Sequence, residues 1–178
     1  RVDRRQRQMC IRDRPYKAPP KAPVLYVKTA NTWSPHDAAI PVPANVPEVE
    51  VGASIGMVVG ADGDIEGFVP MNDLSVPHAS FFRPPVKFKC LDGFLGIGPA
   101  LRDAQEVDDP AAFRVEVRIN GELQQTLDFS TLVRPARQLL AEVGEFMTLA
   151  PGDVLMLGCG RGRPLARVGD RIEISAPG

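Results

Sequence analysis

The sequence predicts a mainly β (α+β) single domain, a sandwich or roll with one long helix, and three observations carry that reading. Sixteen glycines and eighteen prolines in 178 residues imply many turns and short strands. Glu48 to Gly60 (EVEVGASIGMVVG) alternates strictly, with Val49, Val51, Ala53, Ile55, Met57 and Val59 on one face and Glu48, Glu50, Gly52, Ser54 and Gly56 on the other. Asn120-Gly121 separates two further alternating runs, which is the strongest short hairpin signal.

Each element follows from local chemistry. Arg1 to Arg14 is charge-dense without a 2.0 or 3.6 period, and its RQRQMCIRDR portion resembles a translated sequencing-adapter read. It is read as a non-native or disordered leader, leaving 15–178 as one domain truncated at its amino terminus. Pro15 to Pro23 must run extended because each proline fixes φ. Val24 to Lys28 (VLYVK), β-branched and aromatic, predicts a strand, and Ala39 to Pro43 a second extended piece. After the Glu48 to Gly60 strand, Ala61 to Glu66 is a turn and Gly67 to Met71 resumes an extended path into Asn72-Asp73. Ser75 to Pro85 reads as loop, and Val86 to Pro99 as loop and short strand lining a cavity. Phe113 to Ile119 and Glu122 to Leu127 form the hairpin. Leu132, Ala136, Leu139, Leu140, Val143 and Phe146 lie at helical spacing, and Pro135 places the regular helix start. Turns at Pro151-Gly152-Asp153 and Gly169-Asp170 lead into two last strands.

Composition excludes several functions. A net charge of −1 gives no electrostatic case for nucleic acid or an acidic membrane. No run approaches the ~18 apolar residues that span a bilayer. Cys10, Cys90 and Cys159 are odd in number and lack metal-ligand spacing, which fits a reducing cytoplasm. A small neutral or anionic ligand remains open.

The chemistry-bearing pattern is Glu48 and Glu50. Carboxylates at i and i+2 share a strand face with Cα atoms roughly 6.6 Å apart and can converge on one cation. Asp73 becomes the third ligand if the following segment runs alongside. On pattern alone the pair reads first as the solvated face of an edge strand. Lys89, beside Lys87, reads on pattern alone as a surface lysine. His78, in an irregular stretch, and His36 read as loop residues, and Cys159 as pocket lining.

Read together, the segments resemble the fumarylacetoacetate hydrolase family from Pro15 onward. Its lysine strand resembles Tyr26-Val27-Lys28, its metal strand Glu48-Val49-Glu50-Val51-Gly52, and its Asn-Asp segment Asn72-Asp73-Leu74-Ser75. Its lysine loop resembles Lys89-Cys90-Leu91-Asp92-Gly93-Phe94 through Gly98-Pro99, followed by Asn120-Gly121-Glu122 with Gln125 and Pro151-Gly152-Asp153. PYKAPP, Asn31-Thr32 and Arg83-Pro84 resemble the branch that isomerises 2-hydroxyhepta-2,4-diene-1,7-dioate and decarboxylates 5-oxopent-3-ene-1,2,5-tricarboxylate in aromatic catabolism. The resemblance implies that fold, and Mg²⁺ or Mn²⁺ held by Glu48, Glu50 and Asp73. It further implies Lys89 as the catalytic charge beside a metal-bound enolate, and Lys28, Arg83, Gln125 and Cys159 against substrate. The implied partners are a small unsaturated oxo-diacid and a second copy or homologous carboxyl-terminal subunit. An acylpyruvate-type C–C hydrolase and a catalytically silent half are the alternatives. The sequence departs from the family at Pro77, His78 and Ser80, where arginine, aspartate and glutamine are usual, and at Leu157-Gly158-Cys159-Gly160, where T-G-T-P is usual. The family's lid histidine and glutamate precede PYKAPP, so the acid/base pair has no assignment.

Overall fold

The computed structural model describes residues 22–78 and 86–176. The expected leader, PYKAPP and Arg83 lie outside the described residues. The architecture is mainly β with few helices, as the sequence predicts. The main sheet contains β1 (Trp33–Ser34), β3 (Ala53–Val59), β4 (Ile65–Asp73), β5 (Leu95–Ile97), β6 (Arg102–Asp103) and β9 (Val154–Met156), in the order β1-β5-β4-β3-β9 with β6 beside β4. A second sheet joins β7 (Arg114–Ile119), β8 (Glu122–Asp128) and β11 (Ile172–Ser175) in the order β11-β7-β8. A small ladder pairs β2 (Val49–Glu50) with β10 (Leu165–Ala166).

The core lies between the sheets, where Val51, Ile55, Met57, Leu74 and Phe94 pack with Val115, Val117, Phe129 and Val143. The hairpin forms as expected: Asn120 and Gly121 take φ of 53° and 81°, the left-handed pair that a two-residue turn requires. The helix also forms, as α2 (Ala136–Gly144), directly after Pro135, and buries Ala136, Leu139 and Val143. It is shorter than the apolar spacing suggests, because Gly144 ends it and Phe146 is left 63% exposed. Among the described residues no helix is long and apolar enough to cross a membrane.

Three sequence expectations are corrected. The Glu48 to Gly60 strand is split at Val51-Gly52, where the chain leaves the β2–β10 ladder and enters the main sheet. The crossing needs a residue without a side chain: a Cβ on Gly52 would stand 2.4 Å from the Asp73 carbonyl oxygen. Val24 to Lys28, expected as a strand, is in no sheet. Val86–Lys89 is one turn of helix, α1, ahead of β5.

Candidate active site

Strand β4 and its continuation build the site by simple alternation. Pro70, Asn72 and Leu74 line one side, while Asp73 and Ser75 point to the other, the period-2 consequence of an extended backbone. Backbone bonds lock the register: Asp73 N–H donates to Gly52 O at 2.8 Å, Glu50 N–H to Ser75 O at 2.8 Å, and Ser75 N–H to Glu50 O at 3.1 Å. Glu50 is thereby placed beside Asp73 although the two lie in different ladders.

Asp73 is fully buried, and a buried carboxylate must be compensated. Lys89 Nζ donates to its Oδ2 at 2.9 Å and to Ser75 Oγ at 2.6 Å. Lys28 Nζ stands 2.9 Å from Oδ1 as an ion pair and donates to the carbonyls of Leu74, at 3.2 Å, and Lys89. Tyr26 donates its hydroxyl to Oδ2, and Lys89 Nζ sits 4.5 Å from the centre of the Tyr26 ring. Arg163 Nη1 approaches from the far side, 3.9 Å from Asp73 Oδ2, 3.7 Å from Glu50 Oε2 and 3.3 Å from Ser75 Oγ. Cys159 Sγ lies 3.8 Å from Asp73 Oδ2 and 3.5 Å from Gly52 O.

The electrostatics follow from this packing. Burial alone would raise the Asp73 pKa, but the charges of Lys89 and Lys28 and the Tyr26 hydrogen bond outweigh it and hold the carboxyl below its ordinary value. Burial lowers Lys28, with Asp73 opposing. Burial, then the charge of Asp73, raises the Tyr26 phenol and pushes the Cys159 thiol up to about 11. The cluster thus gathers the carboxylates of Asp73 and Glu50, a neutral phenol and thiol, and the cations Lys28, Lys89 and Arg163.

The residues expected from sequence separate into those that meet and those that do not. Lys28, Glu50, Asp73, Lys89 and Cys159 meet. Glu48 does not join them: β2 pairs antiparallel with β10, with Leu165 opposite Glu50 and Ala166 opposite Val49, so Arg167 falls opposite Glu48 and approaches it at 3.8 Å. Gln125 Nε2 donates to Arg161 O at 2.6 Å, anchoring the backbone of the loop that carries Cys159 and Arg163. His78 stacks on Phe88 at 4.4 Å, and the His36 side chain is exposed beside Asp37. Sequence reasoning missed Tyr26 and Ser75 as site residues, although each lies two positions from a residue it named, and it missed Arg163. A cleft of about 720 Å³ opens elsewhere, between 34–42 and 166–174, with His36, Asn72 and Arg171 on its walls. None of the Asp73 cluster lines it.

Whether a divalent cation fits is decided by the donors. Among the described residues no three His, Cys, Asp or Glu side chains are gathered closely enough to hold a metal. Glu50 and Asp73 both face the Arg163 guanidinium, but Asp73 Oδ2 already accepts hydrogen bonds from Lys89 and Tyr26, and Lys28 Nζ stands 2.9 Å from Oδ1. Glu48 would have to leave Arg167, whose side chain is 77% exposed; such a pair is worth under ~1 kcal/mol. The chain's own cations would also have to yield, Arg163 from Glu50 and Lys28 from Asp73, so the described arrangement is not itself a cation site.

This fold and site define a class: the chain belongs to the fumarylacetoacetate hydrolase family, whose model, described as Fumarylacetoacetate (FAA) hydrolase C-terminal, matches residues 2–178. It is similar to the 4-hydroxyphenylacetate degradation bifunctional isomerase/decarboxylase of Escherichia coli, 35% identical over 181 residues that cover 96% of this chain and 41% of that protein. The chain therefore spans about two-fifths of the length of that relative. In fold it is similar to 5-carboxymethyl-2-hydroxymuconate delta-isomerase from Mycobacterium smegmatis, with TM-score 0.75, 24% identity, and 89% of this chain and 66% of that one covered. It is also similar to fumarylpyruvate hydrolase from Pseudomonas aeruginosa in complex with Mn²⁺ and pyruvate, with TM-score 0.72, 20% identity, and 84% and 72% covered.

Proposed function

We propose that this domain is a divalent-metal-dependent isomerase/decarboxylase of aromatic catabolism. Its substrates are short unsaturated oxo-diacids of the type 2-hydroxyhepta-2,4-diene-1,7-dioate and 5-oxopent-3-ene-1,2,5-tricarboxylate. The observation that carries the reading is buried Asp73, bracketed by Lys28 and Lys89 and set beside Glu50. The similarity to an isomerase/decarboxylase over 96% of the chain supports it.

In this proposal Glu48, Glu50 and Asp73 would hold Mg²⁺ or Mn²⁺. When bound, the ion supplies Lewis acidity to the oxygens of a 2-oxo or 2-hydroxy acid. Lys89 is the catalytic residue. Its two hydrogen bonds, to Asp73 and Ser75, fix the ammonium in place, so its charge is preorganised for the oxygen on which negative charge develops. Loss of CO₂ from a β-position and proton relocation along a dienol both generate an enolate, so one fixed cation serves both reactions. Lys28, Arg83, Gln125 and Cys159 are the proposed substrate-side set, Lys28 and Cys159 by proximity and Gln125 through the loop it anchors.

The test is product analysis with each diacid and with an acylpyruvate, in Mn²⁺ or Mg²⁺ and again after chelation. Isomerised diene or released CO₂ is expected, and only with metal. Cleavage of the acylpyruvate into two acids, without rearrangement of the diacids, would replace this reading with C–C hydrolysis; no turnover of any substrate would sink it. A cytoplasmic setting, and pairing with a second domain of the same fold, belong to the same proposal. The half-buried apolar face formed by Val58, Ile97, Val154 and Met156 supports the pairing. Light scattering in solution would check it, with a monomer at micromolar concentration counting against it.

A further inference from the structure

In the Asp73 cluster Lys28, Lys89 and Arg163 face Asp73 and Glu50, a formal excess of positive charge. Lys28 and Lys89 are committed to Asp73, each at 2.9 Å, and their side chains are only 4% and 8% exposed. Arg163 is placed differently. Its side chain is 21% exposed, and it stands 3.7 Å from Glu50 Oε2 and 3.9 Å from Asp73 Oδ2, too far to hydrogen-bond to either. Among the described residues its guanidinium hydrogen-bonds to Ser75 Oγ, at 3.3 Å, and to no other group. A guanidinium carries a rigid fork of N–H donors, so most of that fork has no protein acceptor among the described residues.

The loop holds the fork in place. Ser54 Oγ donates to Gly158 O at 2.9 Å, Gln125 Nε2 to Arg161 O at 2.6 Å, and Val51 N–H to Pro164 O at 2.8 Å. The backbone is thereby tied on both sides of Arg163, and a donor set fixed in advance loses little freedom when a ligand arrives. We propose that Arg163, in the position it occupies here, anchors one carboxylate of an organic acid through the two-pronged contact that a planar guanidinium offers. The inference rests on the oxo-diacid reading above for the nature of the acid, and it requires no metal ion. The excess positive charge of the cluster favours an acid over its uncharged amide.

The test is titration of the full chain with glutarate, in chelator, followed by heteronuclear NMR, with glutaramide as the uncharged control. Wild type is compared with Arg163→Gln and Arg163→Lys, and circular dichroism confirms that each folds. Glutarate is expected to shift the amides of 157–164 in wild type. Arg163→Gln weakens its binding about ten-fold or more, the loss of a charge-assisted contact, and Arg163→Lys weakens it less, because an ammonium keeps the charge without the fork. Equal glutarate affinity in wild type and Arg163→Gln overturns the anchor, as does glutarate binding no tighter than glutaramide. If Arg163→Gln fails to fold, wild type alone decides, by phenylglyoxal modification and peptide mapping. Glutarate should slow modification of Arg163 several-fold and leave Arg167, whose side chain is 77% exposed, unchanged. Equal rates with and without glutarate, or an Arg163 that phenylglyoxal never reaches, overturn it. Neither turnover nor metal enters these measurements. Glutarate held by Arg163 in a chain that turns over no diacid would therefore sink the proposed reaction and leave the anchor standing, and diacid turnover that Arg163→Gln does not alter would do the reverse.

Discussion

Replacing Lys89 by methionine would leave Asp73 with Lys28 at 2.9 Å and Arg163 at 3.9 Å, so the carboxylate stays compensated while the charge proposed to act on the substrate is gone. The expected outcome is a fall in kcat of about 10²- to 10³-fold, the scale of losing one preorganised electrostatic group, with the fold retained. Steady-state assay on the diacid checks this, and a kcat within three-fold of wild type would remove Lys89 from the chemistry. Cys159 offers an independent check on the pocket. With its thiol pushed up to about 11, first by burial and then by Asp73, the thiolate fraction at pH 8 is about one part in a thousand. Peptide mapping after iodoacetamide at pH 8 should find Cys159 largely unmodified when free glutathione has fully reacted. Lys89 and Asp73 were legible because they sit in motif positions. Arg163 was not: an arginine in a glycine-rich stretch reads as solvated, and only the loop path past Ser75 turns it inward.

At the level of elements, the break at Gly52 holds two ladders in one register. Alanine there would put its Cβ 2.4 Å from a backbone oxygen and 3.2 Å from Cys159 Sγ, and backbone cannot yield as a side-chain tip can. Gly52→Ala should cost about 1–3 kcal/mol of stability, the range for overpacking a close-packed site, and should weaken Mn²⁺ binding by prising Glu50 from Asp73. Urea denaturation with calorimetry would test both parts, and a neutral effect on each would refute the close approach. Elements were legible where the signal is local. The Asn120-Gly121 turn, the helix after Pro135 and the turns at Gly152 and Gly169 need only nearby residues. Pairing was not legible, because an extended segment such as Val24 to Lys28 looks the same in sequence whether or not a neighbouring strand bonds to it. Its alternation still mattered: Tyr26 and Lys28 both reach Asp73 while Val27 stays exposed.

For the whole molecule, acid sensitivity follows from carboxylates distributed over the surface. Hydrogen bonds from Arg137 hold Asp64 below its ordinary pKa, those from Ser130 hold Asp128, those from Gln138 and Arg134 hold Glu142, and those from Arg167 and Asn120 hold Asp170. A carboxyl depressed in the folded state stabilises above its unfolded pKa, near 3.9 for Asp and 4.3 for Glu, and loses that contribution as pH falls through the folded value. The urea midpoint should therefore fall on acidification below about pH 4, and a midpoint that rises there would contradict these assignments. The same view of the whole chain shows what the alternation along β4 entails for change over generations. Asn72 faces the open cleft and Asp73 the buried charges, so inserting or deleting one residue within Ile65–Asp73 would exchange them, setting an amide among the lysines and a carboxylate in the cleft. Point substitutions can drift through this strand, but its length is inherited as a unit, and a library of single-residue indels should survive in the Ala61–Asp64 turn and be lost throughout β4.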